Sequence, residues 1–195
     1  MSTRVDLGKN SWYEFHQIVP EEIQMDALMF EHIWNLHPED YGTVKIYGKD
    51  IKTPRWQQTY GKDYKFSGIN HEALPITDPY LQKLNEWVNN NSGLLFNQLL
   101  INWYQDGNHY IGKHSDNEKQ LVPNSPIYSF SFGQNRDFRI ISKDNILKPI
   151  KINLPSNSLI IMGGEMQTHF YHEVPKRALS NCPNRRINIT FRLFL

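Results

Sequence analysis

Apolar positions follow a helical period at two places in the first half of the chain. After a predicted strand at residues 11 to 18, the first apolar series comprises Ile23, Ala27, Phe30 and Trp34. Spacing of three to four residues predicts a helix with one buried face, which begins at Pro20 and ends at His37. The second helix begins at Asp78-Pro79, and its apolar series comprises Leu81, Leu84, Trp87 and Val88. A run of asparagines ending in Gly93 stops it.

From Phe96 onward the period changes to two, which is typical of strands. The alternation places Asn102 and Tyr104 on one face of the first strand, and the opposite face carries Leu99, Ile101 and Trp103. Further apolar runs predict four more strands, at residues 126–132, 137–141, 150–154 and 158–162. We expect the first two of these four to pair with each other across the turn at Gly133. The second half of the chain is therefore predicted to be rich in strands.

The last strand has an apolar face and a polar face, and the polar face suggests a ligand. The apolar residues Ile187, Ile189, Phe191 and Leu193 alternate with the polar residues Arg186, Asn188, Thr190 and Arg192. At a rise of roughly 3.3 Å per residue, the two arginine backbones lie about 20 Å apart. Their long side chains can still converge on a ligand with a carboxylate at each end, because guanidinium groups bind carboxylates in bidentate geometry. A surface strand with Asp or Glu partners is the alternative, and the pattern leaves both open.

Length and composition fit one globular domain. The 195 residues are 39% hydrophobic and 13% aromatic, and no apolar run is long enough to cross a membrane. The start of the chain lacks a signal-peptide pattern and Cys182 has no cysteine to pair with, so we expect an intracellular protein, cytoplasmic or nuclear according to its source. A net charge of +1 excludes a strong global attraction to nucleic acid.

A local basic and aromatic segment at residues 43–68 is the exception to this charge balance. Six basic residues stand against two acidic ones between Lys45 and Lys65, and the interleaved aromatic residues are Tyr47, Trp56, Tyr60 and Tyr64. Basic groups that bind phosphates and rings that stack on bases would suit a nucleic-acid surface. A solvated hairpin with partly buried rings is the alternative, and composition alone favours that hairpin.

The sequence His114-Ser115-Asp116 is a possible metal half-site. One imidazole and one carboxylate two residues apart can bind one divalent metal from the same side. A distant second histidine would complete the 2-His-1-carboxylate triad of non-haem Fe(II) sites. His169 and His172 are the candidates, and they face opposite sides of an extended chain because they lie three residues apart. The residue pattern does not choose between them.

Five motifs in order make the region from residue 96 to 195 resemble the AlkB family of Fe(II)- and 2-oxoglutarate-dependent dioxygenases. The motifs are Asn102-x-Tyr104 with Asp106-Gly107; Ile111-Gly112-x-His114-x-Asp116; Pro126-Ile127 to Gly133 with Arg136-x-Phe138; Phe170-Tyr171-His172 with Pro175; and Arg186-x-Asn188-x-Thr190-Phe191-Arg192. The resemblance implies an α+β fold with a double-stranded β-helix, or jelly-roll, at its core. It also implies helices packed outside this core and a single domain over residues 1–195. The jelly-roll core would cover about 96–195.

The same resemblance implies the ligands of the site. Fe(II) would be bound by His114, Asp116 and His172, which resolves the choice of histidine. The co-substrate 2-oxoglutarate would be bound by Asn102, Tyr104, Arg186, Asn188 and Arg192. O2 would be the second co-substrate.

The first half of the chain is similar to the AlkB homologues that repair alkylated duplex DNA. The resemblance implies a nucleotide-recognition lid at about 40–70 and a set of substrate-binding residues, which are Tyr47, Gly48, Lys49, Arg55, Tyr64, Phe66, Asn117 and Glu118. Tyr47 stands where the branch usually has a phenylalanine that fills the gap left by a flipped base. Asn117 stands where the branch often has a second acid, and Glu118 follows it.

The activity implied is oxidative demethylation of N-alkylated DNA bases of the 1-methyladenine and 3-methylcytosine type. Fe(II), 2-oxoglutarate and O2 would be used, and formaldehyde, succinate and CO2 released. The expected partner is double-stranded DNA with a flipped alkylated base, bound by a monomer without membrane contact. Two alternatives stay open: an RNA demethylase or protein hydroxylase with the same cofactors, and a non-catalytic nucleic-acid-binding module.

Overall fold

The fold consists mainly of antiparallel strands. In the computed structural model of the protein, the described residues are 2–46, 48–66 and 69–195, without the side chains at 45, 46, 64–66 and 69. Within these ranges the α-helices are α1 (Ala27–Trp34), α2 (Pro79–Ser92) and α3 (Met166–His169). None of the helices described is both long and apolar enough to cross a bilayer.

Seven strands form the larger sheet. They are β1 (Ser2–Gly8), β2 (Ser11–His16), β5 (Trp56–Gly61), β8 (Gln98–Tyr104), β10 (Ile127–Gly133), β13 (Ser158–Gly164) and β15 (Arg186–Arg192). Their spatial order is β1-β2-β13-β10-β15-β8-β5, so β15 lies between β10 and β8. In its register Asn188 lies opposite Asn102 and Arg186 lies opposite Tyr104. The predicted polar face of β15 therefore continues across β8.

Four strands form a smaller sheet in the order β12-β11-β14-β9. They are β9 (Ile111–His114), β11 (Arg136–Ser142), β12 (Ile150–Leu154) and β14 (Phe170–Val174). Two short hairpins lie in the predicted lid region, formed by β3 (Thr43–Ile46) with β4 (Lys49–Lys52) and by β6 (Tyr64–Phe66) with β7 (Ile69–His71).

The central strands β8, β10, β13 and β15 of the larger sheet are buried on both faces, whereas the edge strand β1 is largely exposed. One face packs against the helices, in a cluster that includes Ile33 of α1, Leu84 of α2 and Ile189 of β15. A second cluster includes Met162 of the larger sheet together with Phe138 and Val174 of the smaller sheet. The polar side chains of β8 and β15 lie on this second side, where they line a cavity together with residues of the smaller sheet.

The predicted start of the first helix was wrong, whereas the second helix was predicted correctly. Residues Glu21–Ile23 form a separate 3-10 turn, and α1 begins only after Asp26, whose side chain accepts a hydrogen bond from the Met29 amide at 2.8 Å. This N-cap stabilises a later start than the apolar spacing indicates. In α2, Asp78 caps the start and Gly93, with φ of 70°, ends the helix.

The predicted pairing of residues 126–132 with 137–141 was also wrong. Both edges of β10 are hydrogen-bonded to other strands, β13 and β15, so β11 cannot add to it. β11 instead pairs with β12 and β14 in the smaller sheet. Gly133, with φ of 84°, ends β10 in the left-handed conformation that glycine adopts easily, and the chain then crosses to the other sheet.

Candidate active site

Three potential metal ligands meet at the edge of the smaller sheet. His172 of β14 pairs in register with His114 of β9, and Asp116 lies two residues after His114. One ligand atom from each side chain lies within 4.8 Å of the others. His114 Nδ1 lies 2.8 Å from the Gly112 carbonyl oxygen, which can only accept a hydrogen bond. The proton is therefore on Nδ1, and Nε2 is free to bind a metal.

The second candidate histidine, His169, lies outside this cluster. It ends the α3 turn rather than continuing a strand, so the expectation of an extended chain at this residue was wrong. Its Nε2 lies 3.0 Å from the Glu165 carboxylate. The structure thus brings His172, and not His169, next to His114 and Asp116.

Burial and neighbouring charges favour the protonation states that bind a metal, which are neutral imidazoles and an ionised carboxylate. Burial and the nearby His114 lower the pKa of His172 to about 3, and burial also lowers the pKa of His114. Both imidazoles are therefore neutral at pH 7. Burial would raise the pKa of Asp116, but Arg192 and the two histidines hold it well below its usual range. Two neutral imidazoles and one carboxylate form a typical Fe(II) ligand set.

Arg192 faces Asp116. Asp116 Oδ2 accepts hydrogen bonds from Arg192 Nε at 3.1 Å and from Nη2 at 2.9 Å. Gln98 and Thr59 extend this network, because Gln98 Oε1 accepts from Arg192 Nη1 at 3.4 Å and Gln98 Nε2 donates to Thr59 at 2.9 Å. The network holds the metal-side carboxylate and the guanidinium together.

Arg186 is buried without a full set of partners. Its side chain is 1% exposed, its Nη2 donates to Ser131 Oγ at 2.8 Å, and its guanidinium lies 4.8 Å from the centre of the Tyr104 ring. Nε and Nη1 have no hydrogen-bond partner among the residues that the structure describes. Burial lowers the pKa of Arg186. A buried cation with two free donors suits a carboxylate ligand.

The co-substrate residues predicted from the sequence line one cavity together with the three potential metal ligands. They are Asn102, Tyr104, Arg186, Asn188 and Arg192. Asn188 Nδ2 is held by Ser129 Oγ at 2.8 Å and by the Phe130 carbonyl oxygen at 2.7 Å. The donor set therefore fits a small dicarboxylate beside a metal.

Two residues that the sequence did not single out, Gln167 and Lys143, hold Ser115 and Asp116 in place through hydrogen bonds. The Asp116 amide donates to Gln167 Oε1 at 2.9 Å. Lys143 Nζ donates to Ser115 Oγ at 3.1 Å and to the Gln167 carbonyl oxygen at 2.8 Å. Arg136 similarly holds two backbone segments near the site. Its Nη2 donates to the carbonyl oxygen of His109, before β9, and to that of Pro175, after β14. Partners of this kind fix the orientation of metal ligands.

The predicted substrate residues are placed differently from one another. Gly48, Lys49 and Asn117 are exposed, whereas Arg55 is only 7% exposed and donates from Nε to Asn102 Oδ1 at 2.7 Å. Tyr64 and Phe66 belong to β6, but Tyr47 and both of these side chains lie outside what the structure describes.

Glu118 is a partly buried acid beside the metal cluster. Burial and the nearby Asp116 raise the pKa of Glu118 to about 7. Its Oε2 is buried and has no hydrogen-bond partner in the described part of the chain. Glu118 can therefore be either charged or protonated near neutral pH.

Comparisons with known proteins agree with this arrangement. The family model of the 2OG-Fe(II) oxygenase superfamily matches residues 24–192. DNA oxidative demethylase ALKBH2 of Homo sapiens is 39% identical over 162 residues, which cover 78% of this chain and 61% of that protein. Alpha-ketoglutarate-dependent dioxygenase alkB homolog 3 of Homo sapiens is 35% identical over 148 residues, which cover 71% of this chain and 51% of that protein. The chain thus spans roughly half to three-fifths of these relatives' length.

The fold is shared with a solved structure titled "The structure of OsALKBH1". The two are 18% identical with a TM-score of 0.61, and the match covers 98% of this chain and 100% of the other. The predicted jelly-roll fold and the resemblance to AlkB homologues are therefore confirmed. The family also confirms the predicted cofactors, Fe(II) and 2-oxoglutarate, with O2 as co-substrate. The match over residues 24–192 agrees with the metal cluster and the fold, and it shows that the chain belongs to the 2OG-Fe(II) oxygenase superfamily.

Proposed function

We propose that the protein oxidatively demethylates N-alkylated bases in DNA. The observation that carries this proposal is the buried cluster of His114, Asp116 and His172 beside Arg186, a cation with two unpartnered nitrogens. This pairing of a metal site with a carboxylate site is what a 2-oxoglutarate-dependent oxidation needs. The names of the ALKBH2 and alkB homolog 3 relatives support DNA as the substrate.

In this proposal the chain's own residues bind and orient. The three ligands bind Fe(II) from one side, and Arg186, with Asn102, Tyr104, Asn188 and Arg192, binds 2-oxoglutarate. The bound metal and co-substrate supply the oxidation of an N-methyl group by O2, with release of succinate and CO2. The hydroxylated methyl group then leaves as formaldehyde. The buried walls of the cavity exclude water from the reacting groups.

The substrate would be an alkylated base flipped out of duplex DNA by a monomer. A base inside the stack is out of reach, and extrusion costs a few kcal/mol, which a methyl lesion reduces because it already weakens pairing. We assign the lid at 40–70, including Tyr47, Tyr64 and Phe66, to the DNA strand and the flipped base. Gly48, Lys49, Arg55, Asn117 and Glu118 complete the proposed substrate set.

The proposal is tested with a methylated oligonucleotide, Fe(II), ascorbate and 2-oxoglutarate. We expect each lesion to lose the mass of one CH2 group, with formation of one succinate per repair. Absence of turnover on 1-methyladenine and 3-methylcytosine in both single and double strands would refute it.

A matched pair of histidine variants tests the ligand assignment. His172→Ala should abolish turnover and Fe(II) binding, because it removes one of three ligands. His169→Ala should preserve Fe(II) binding, because the His169 side chain pairs with Glu165 and is not part of the metal cluster. The reverse pattern would overturn the assignment.

A further inference from the structure

A second cavity, of about 230 Å³, lies next to the proposed iron and co-substrate cavity. Leu100 lines both cavities, so they share a wall. The other lining residues are Gln57, Gln58, Thr59, Asn70, His71 and Glu72. All of these are polar, which suits the polar edge of a ligand and not an apolar side chain.

Gln57 lines this cavity and carries an unpartnered donor. The residue is 8% exposed, yet its Nε2 has no hydrogen-bond partner among the described residues. Its Oε1 accepts from Arg55 Nη2 at 3.2 Å, and Arg55 Nε is in turn fixed by Asn102 Oδ1 at 2.7 Å. Because Oε1 is committed to a permanent donor, the amide cannot flip, and Nε2 is the group left for a ligand. A buried donor without a partner is destabilising, so a ligand acceptor would relieve that cost.

Gly42 keeps the Gln57 amide in place from the other side. A Cβ at residue 42 would lie 2.8 Å from Gln57 Cγ and 2.9 Å from Nε2, closer than van der Waals contact allows. Only glycine therefore permits this position of the amide. The donor is held between Gly42 and Arg55 before any ligand arrives, and such preorganisation lowers the entropy lost on binding.

We propose that Gln57 Nε2 donates a hydrogen bond to a carbonyl oxygen of the flipped base, so that this cavity selects N-methylated pyrimidines. The inference rests on the proposed function and names its preferred substrate. In 3-methylcytosine the methylated nitrogen has a carbonyl group on one side and the exocyclic nitrogen on the other. In 1-methyladenine a C–H group replaces the carbonyl. With the methyl group at the metal in both cases, only 3-methylcytosine offers an acceptor to Gln57.

The test compares the two lesions in matched oligonucleotides, and the measured quantity is the ratio of kcat/KM for 3-methylcytosine to that for 1-methyladenine. Gln57→Leu should lower this ratio about tenfold, because one hydrogen bond to a buried group is lost. Gln57→Glu keeps the shape and can still accept from Arg55, but it opposes the carbonyl with a second acceptor, so the ratio should fall at least as far. Gln82→Leu is the control, since Gln82 lies on α2 outside this cavity and donates to the Ile76 carbonyl oxygen. It should leave the ratio unchanged.

Gly42→Ala tests whether the position of the Gln57 amide matters when the amide itself is kept. It keeps Gln57 but displaces the flexible side chain, so it should also lower the ratio. An unchanged ratio in both Gln57 variants, or an equal loss for both lesions, would overturn the proposal.

Equilibrium binding separates failure of this inference from failure of the proposed function. Fluorescence anisotropy with Mn(II) in place of Fe(II), without oxygen, measures the affinity of the full chain for each oligonucleotide. Tighter binding of 3-methylcytosine that disappears in Gln57→Leu supports the inference even if neither lesion is demethylated. Equal affinities in the unaltered protein would refute the inference and leave the demethylase proposal standing.

Discussion

Replacing Arg186 by methionine should abolish binding of 2-oxoglutarate without destabilising the protein. Arg186 is 1% exposed, its Nη2 donates to Ser131 Oγ at 2.8 Å, and its guanidinium lies over the Tyr104 ring. Nε and Nη1 have no partner in the described residues. Methionine has a similar length and fills the space with an apolar chain. The change removes a buried charge that has no ionic partner identified in its cavity.

The magnitude follows from these contacts. A hydrogen bond from a charged group contributes about 1.5–3 kcal/mol, and a buried unsatisfied donor costs about 1–3 kcal/mol. Methionine loses the one hydrogen bond and removes two such donors, Nε and Nη1, so the free energy of unfolding without ligand should not fall. With 2-oxoglutarate at about 100 times its Kd, the unaltered protein should gain about 2.7 kcal/mol. For a chain of this size that gain corresponds to a Tm increase of roughly 5–11 °C.

Thermal denaturation followed by circular dichroism measures both effects, with Mn(II) present and with or without 2-oxoglutarate. Arg186→Met should show a Tm at least as high as that of the unaltered protein, and no increase with 2-oxoglutarate. Arg185→Met is the matched control, because the neighbouring Arg185 lies over Trp34 and pairs with Glu31, outside the cavity. It should keep the increase. A full Tm increase in Arg186→Met, or a loss above about 3 kcal/mol without ligand, would refute the reasoning.

Three further outcomes follow from the structure. Gln167→Leu should weaken Co(II) binding about tenfold, because the acceptor for the Asp116 amide is lost, and Gln167→Glu should restore it; equal affinity in all three proteins would contradict the bracing role. The pKa of Asp116 is held below its ordinary 3.8, so its ionised form stabilises the metal-free fold above about pH 4, and this stability is lost as the pH falls through the folded-state pKa. Urea denaturation between pH 6 and pH 3 should therefore show a steeper loss for the unaltered protein than for Asp116→Asn, and parallel slopes would contradict this. Gly164→Ala should cost about 1–3 kcal/mol or more in urea denaturation, because its Cβ would lie 1.9 Å from the Asn10 carbonyl oxygen at a φ of 64°, and an unchanged midpoint would contradict the packing.

Local signals predicted the parts of the fold that depend on local chemistry. The caps of α2 at Asp78 and Gly93 and the alternation of β8 and β15 were readable because their causes lie within a few residues. The strand pairing was not readable at β10, because both of its edges are occupied by strands more than 20 residues away. Sequence proximity favoured the hairpin with β11, and long-range pairing overrode it.

The site was predicted as far as its motifs reach. The resemblance supplied the predicted metal and co-substrate residues, and the structure places these residues around one cavity. Gln167 and Lys143 carried no signal, because they act through the Asp116 amide and Ser115 across 51 and 28 positions of the chain. Arg55 was predicted as part of a basic segment and as a substrate residue, and Gln57 lies in the same segment. Both side chains are buried, because Arg55 lies just before β5, Gln57 lies within it, and β5 pairs with β8. This long-range pairing has no signal in the local sequence.

The polar face of β15 shows what pattern alone leaves undecided. Alternation treats Arg186 and Arg192 as equivalent, and it allowed either a dicarboxylate ligand or acidic partners within the protein. In the structure, the acidic partner applies to Arg192 and the dicarboxylate ligand remains the alternative for Arg186. Arg192 already has its acidic partner in Asp116, whereas Arg186 keeps two buried donors without one among the described residues. Because a buried guanidinium without a carboxylate is unfavourable, the requirement for an external anion falls on Arg186, at the end of the strand away from Asp116.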